Sequence, residues 1–147
     1  MAATEFLHSG GRRWINQVLN KAVSLPTNMY IGLRTLDGVS GHPADAAAAD
    51  TLTSNLQEVS GGGYARIAVT LNTTNMVEAA SGADSTFTVA QQTFSFTGTI
   101  VGITHSFLAT TSDNTGVLIA SAPLSVTRNV INGDTIKETF VFTMTGA

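Results

Sequence analysis

Three consecutive glycines, Gly61, Gly62 and Gly63, stand just ahead of a clean alternation, and together they constrain the fold more than any other stretch. Glycine gives up more backbone freedom on ordering than any other residue, so the triplet cannot hold a helix and marks a hinge. Beyond it Ala65, Ile67, Val69 and Leu71 fall on one side, with Tyr64, Arg66, Ala68 and Thr70 on the other. A period of two is that of a half-buried strand. Glu58 and Arg66 flank the glycines and are placed to pair across the turn. The stretch therefore reads as a structural hinge made of Glu58, Gly61, Gly62, Gly63, Tyr64 and Arg66.

Around this hinge the 147 residues read as a single domain, long enough to bury a core without staples. Residues 1–11 form a partly polar arm with Phe6 and Leu7 as anchors. A helix is predicted over 12–24, because Trp14, Ile15, Val18, Leu19, Ala22 and Val23 make one apolar stripe. Pro26 lies just past its end. The stripe packs on the domain's own sheet or, in a sharper reading, docks on a neighbouring subunit with Trp14 as its largest anchor. From residue 28 onward the pattern is extended. The first strand is 29–35, and a long loop, 36–57, carries His42, Leu52 and Leu56. Loops of that length in small domains are usually functional, and here contact with a partner is favoured.

Further strands are expected at 86–89, 93–96, 100–109, 117–120, 126–131 and 135–145, with 72–84 a polar connection. Bulky residues on both parities of 100–109 suggest a strand covered on both faces. Asn132-Gly133-Asp134 is a tight-turn signal, since Asn and Gly both tolerate positive φ. One helix followed by about seven or eight short strands argues an antiparallel β-sandwich. No strand–helix–strand alternation follows residue 26, which argues against a doubly wound parallel sheet.

Charged residues make up 12% of the chain, roughly half the usual ~25%. Thr, Ser, Asn, Gly and Ala take their place, giving a polar, weakly charged surface suited to packing against neighbours. A net charge of −3 and scattered basic residues offer no footprint for nucleic acid. No apolar run is long enough to span a bilayer, and Glu5 and His8 stand where an export signal would carry its apolar core. Without cysteine there are no disulfides or thiolate metal sites.

Signals for catalysis are weak. His8, His42 and His105 have no second ligand at metal spacing, and no Gly-x-Ser-x-Gly elbow occurs. The glycine triplet lacks a following Lys-Ser/Thr and precedes a strand, so no helix N-terminus receives an anion. Asp113-Asn114 lacks the spacing of a calcium loop. Glu58, Glu78, Asp84 and Glu138 are the candidate carboxylates for glycoside hydrolysis, with nothing to choose between them. No catalytic residue, cofactor or metal is expected.

Four segments in order carry a resemblance: Trp14-Ile15-Asn16-Gln17-Val18-Leu19, then Met29-Tyr30-Ile31-Gly32-Leu33-Arg34-Thr35, then Glu58-Val59-Ser60-Gly61-Gly62-Gly63-Tyr64-Ala65-Arg66, and Asn132-Gly133-Asp134-Thr135-Ile136 before the last strand. The chain resembles small tailed-bacteriophage virion structural proteins of the capsid decoration or tail-fibre-like kind, most specifically in its Glu-Val-Ser-Gly-Gly-x-Tyr-Ala-Arg string. The resemblance implies a virion protein made in the bacterial host's cytoplasm, bound to the major capsid protein or to other virion proteins, and self-associating, as a trimer. Capsid decoration is the first expectation, since no fibrous repeat or heptad is present. A tail fibre or baseplate accessory touching the host surface is the alternative, and a small cell-wall hydrolase a third. An interface would draw on Phe6, Leu7, Trp14, His42, Leu52 and Leu56.

Overall fold

The structure, a computed structural model, describes residues 6–7, 9–22, 24–35, 57–81 and 84–144. His8, His42, Leu52 and Leu56 lie outside these, and for Phe6 and Leu7 the description extends to the backbone. In chain order the elements are β1 (Phe6–Leu7), α1 (Ser9–Leu19), β2 (Asn28–Thr35), β3 (Ile67–Thr70), β4 (Met76–Ser81) and β5 (Asp84–Val89). They continue with β6 (Gln92–Ser95), β7 (Ile100–Ala109), β8 (Leu118–Val130), β9 (Thr135–Glu138) and β10 (Val141–Met144). A five-stranded sheet has the order β1-β8-β7-β2-β3, a three-stranded sheet the order β10-β5-β4, and β6 pairs with β9. Every ladder is antiparallel. The expected mainly β, sandwich-like architecture with one N-terminal helix is the one observed.

Strand alternation decides where the core lies. Met29, Ile31 and Leu33 of β2 share a face with Val69 of β3, Leu108 of β7, and Ala120 and Ala122 of β8. That face packs against Val89, Phe94, Phe96, Ile136 and Phe140 from the smaller sheets and their flanks. Phe107, Ala109 and Leu118 form a second cluster on the opposite face. The bulky parities of β7 are thus buried on both sides from Ile103 to Ala109, whereas Val101 near its start is 66% exposed.

The helix is displaced from its predicted span of 12–24. It begins at Ser9 and takes in Gly10 and Gly11. Gly11 lies so close to the backbone of Ile119 that a Cβ there would collide with it, so this glycine serves as a contact against β8 and not as a loop. The C-terminus falls at Leu19, well short of Pro26. Lys21 adopts a left-handed φ of 61°, with Ala22 N donating to Gln17 O at 2.8 Å and Lys21 N to Val18 O at 3.1 Å. This pair of bonds closes a helix in a Schellman motif, here with lysine where glycine is usual. Gly11, Trp14 and Val18 face inward, while Ile15 (37%) and Leu19 (75%) are exposed.

Three strand boundaries also differ. The supposed polar connection 72–84 contains β4, paired along its length with β5. Its start is set by Asn72, whose Oδ1 accepts from the N–H groups of Thr74 and Asn75 at 3.0 and 2.8 Å in a tight reversal. The segments 117–120 and 126–131 belong to one strand, β8, which runs through Pro123. Beyond Ser121 the outer edge of β8 has no ladder partner among the described residues, and an open edge is where a strand tolerates proline. The stretch 135–145 divides at Thr139 and Phe140: β9 pairs with β6, and β10 pairs with β5. Phe140 is buried at the break, and its carbonyl accepts from Val89 N at 2.8 Å. The inward parity of Ile136 and Phe140 survives the change of sheet.

The turn after β8 is tight but not of the expected kind. Asp134 N donates to Ile131 O at 3.1 Å, and of the two central residues only Gly133 has positive φ, at 92°. That is the pattern of a type II turn, which splays the strands it joins, where a type I′ turn would pair them. β8 and β9 accordingly leave the turn without forming a ladder.

Candidate functional site

The hinge string folds into a closed polar corner beside β2. Ahead of the glycines the chain pairs briefly with the end of β2: Thr35 N donates to Gln57 O at 2.9 Å and Val59 N to Leu33 O at 3.0 Å. After them β3 pairs with the start of β2, from Asn28↔Thr70 to Ile31↔Ile67. Between these two contacts the corner swings away. Gly61, Gly62 and Gly63 have φ of 75°, 56° and 74°, three left-handed residues in a row, a run that glycine takes without the strain any other residue would carry. Tyr64 N closes the turn on Gly61 O at 3.0 Å, and Thr97 N donates to Gly62 O at 2.8 Å. At Gly63 a Cβ would sit 2.5 Å from Thr97 Oγ1, whereas at Gly61 it would meet nothing.

The swing leaves Leu33 N without a strand carbonyl, and a side chain fills the gap. Tyr64 Oη accepts from Leu33 N at 2.9 Å and donates to Glu58 Oε1 at 2.8 Å. Its ring stacks on Phe94 with centroids 6.0 Å apart. Burial, and then the neighbouring Glu58 carboxylate, push the phenol well above its ordinary pKa, so it stays a donor. Gly32 makes room for this: a Cβ there would collide with the Phe107 ring and lie 2.7 Å from Tyr64 Oη.

Arg66 completes the corner as the flanking charges predicted. Nε donates to Glu58 Oε1 at 2.8 Å and Nη2 to Glu58 Oε2 at 2.5 Å, a bidentate pair. Nη2 also donates to Asn114 Oδ1 at 2.8 Å, and Nη1 to Thr111 O at 3.1 Å and to Asp113 O. These bonds occupy all five guanidinium donors. The side chain is 3% exposed, with its guanidinium 5.3 Å from the centre of the Phe107 ring. The Asp113-Asn114 pair, weighed as a cation site, thus serves an internal cation. The Asp113 carboxylate itself caps its own turn through Thr115 N (2.9 Å) and Thr115 Oγ1 (2.6 Å), and those bonds hold its pKa low.

With every guanidinium donor spent within the chain, the corner joins 57–66 to the β7–β8 loop. Of the hydrolase candidates, Glu58 and Glu138 do not converge. Glu138 reaches across the core to Ser106 Oγ at 2.8 Å, and burial raises its pKa. Ser106 and Phe107 are consecutive and face opposite ways, so Glu138 and the Glu58–Arg66 pair lie on opposite sides of the five-stranded sheet. Glu78, on β4, accepts from Ser85 Oγ at 3.0 Å. Among the described residues no group of His, Asp or Glu is arranged to hold a metal.

Of the interface residues, Trp14 packs against the core, which favours the domain's own sheet as its partner. β1 places Phe6 and Leu7 opposite Ser121 and Ala120. Tyr30 lines a shallow groove of about 330 Å³ with Pro26, Asn28, Thr110 and Asp113. Sequence reasoning missed Gly32 and Ser106, which lie inside strand patterns with no local signal of their partners. A family model described as "Podophage GP4 fiber I protein gp80" matches residues 8–141. No curated protein matches the chain.

Proposed function

The chain belongs to the podophage GP4 fiber I protein gp80 family and is a structural protein of a phage virion; from that premise we propose that it is a tail-fibre component. The family match carries this reading and favours it over capsid decoration, the first expectation from sequence. The groove beside Tyr30 supports it, since an accessible aromatic ring in a shallow polar groove suits contact with a host-surface sugar. The corner at Glu58 and Arg66 supports a mechanical, non-enzymatic and cofactor-free role, because its polar groups serve the fold. Self-association, as a trimer, and attachment to other virion proteins belong to the same reading. Electron microscopy of virions labelled with antibody against this chain tests it. Label confined to the tail fibres is the expected result. Label spread over the head shell would overturn it in favour of decoration.

A further inference from the structure

The type II turn at Ile131 and Asp134 opens a cleft of about 460 Å³ between β8 and β9. Its walls are Leu124, Ser125 and 128–130 on one side and 134–138 on the other. Successive side chains of a strand point to opposite faces. A cleft lined by consecutive residues of both strands therefore looks onto their edges, not onto one face. Both edges are open: among the described residues β8 beyond Ser121 pairs with β7 alone, and β9 pairs with β6 alone. Such edges present rows of backbone N–H and C=O groups ready to accept another strand.

The charges in the cleft are not evenly committed. Asp134 Oδ2 accepts from Ile131 N at 2.9 Å, and Glu138 accepts from Ser106 at 2.8 Å, so both carboxylates serve the fold. Arg128 and Lys137, one on each wall, are exposed and stand ready for an incoming anion. Open backbone edges match a peptide main chain better than a sugar. The geometry points to β-augmentation: the cleft receives an extended, acidic polypeptide segment of another virion protein, hydrogen-bonded to β8 and β9 with its carboxylates on Arg128 and Lys137. The guest would join β7-β8 and β9-β6 into one sheet.

Amide hydrogen exchange on the full chain tests this, with a short peptide alternating threonine and glutamate as probe. Its threonine–lysine counterpart and polygalacturonate, an anionic polysaccharide, are the controls. The acidic peptide is expected to slow exchange along both 124–130 and 135–138, by about an order of magnitude at tenfold excess over its Kd. In the exposed double variants R128A/K137A and R128E/K137E that protection falls, and in the second the basic peptide gains it. Protection of one wall only, of neither, or by polygalacturonate in place of the peptide would overturn the proposal. The cleft is a property of the isolated chain, so a negative result leaves the tail-fibre reading standing.

Discussion

Two gaps beside β-strands, at the glycine corner and between β8 and β9, are treated by the fold in opposite ways. At the glycine corner the chain leaves β2 for a few residues and returns, and Tyr64 Oη supplies the acceptor that Leu33 N would otherwise lack. Arg66 then ties the detour to Glu58 and to the β7–β8 loop with every donor occupied. At the cleft between β8 and β9 no ladder forms either, but no side chain of the described residues fills the gap, and Arg128 and Lys137 line it. The turns account for the difference. Three left-handed glycines fold the chain back on itself, so its own side chains reach the gap; the type II turn at Gly133 drives two strands apart. A gap closed from within becomes part of the scaffold, whereas an open one is left for another molecule.

The contrast is sharpest in stability. Arg66→Ala leaves a half-buried carboxylate and three loop acceptors without their partner, and is expected to cost about 3–5 kcal/mol in urea unfolding. A loss near that of a surface residue would mean that the corner is not closed as described. Gly63→Ala combines left-handed strain of about 1–2 kcal/mol with overpacking against Thr97 worth about 1–3 kcal/mol. Gly61→Ala carries the strain alone, since nothing lies near its Cβ. Equal losses at the two positions would count against the packing of Gly63 on Thr97. Tyr64→Phe removes the acceptor from a buried N–H, for about 1–3 kcal/mol.

Glu138 gives a smaller effect that depends on pH. Burial raises its folded pKa above the unfolded value, so ionisation favours the unfolded chain. Its favourable contribution is complete below the ordinary carboxylate range and is lost as pH rises through the raised value. Glu138→Gln, which still accepts from Ser106, should therefore raise Tm at neutral pH and leave it unchanged in acid. A gain of the same size at both would show that ionisation is not the cause. At the cleft, R128A/K137A should change stability by no more than about 0.5 kcal/mol, since neither side chain holds the fold together.

How much of this was legible beforehand follows from the range of each interaction. The alternation after the glycines, the burial of β7 on both faces and the Glu58–Arg66 pairing are local patterns, and the sequence displayed them. The helix ended early because Lys21 adopts a conformation that lysine seldom takes, so Pro26 was the wrong landmark. β4 was missed because Ala79, Ala80 and Ser81 carry no strand preference of their own and are held by β5. Asn132-Gly133 announced a turn but not its type, and the type decides whether the flanking strands pair. Arg66's acceptors on Thr111, Asp113 and Asn114 lie too far along the chain for any spacing rule to find.

That distance has a consequence of its own. Arg66 joins positions 45, 47 and 48 residues further on, so the bonds form only after much of the intervening chain has been placed. Contacts absent from the folding transition state leave the folding rate nearly untouched and act on the escape rate instead. For a particle waiting between hosts with no ribosome to replace a lost subunit, endurance is measured in time, not in equilibrium. Arg66 is then less a strut than a latch, setting how long the assembled chain keeps its shape.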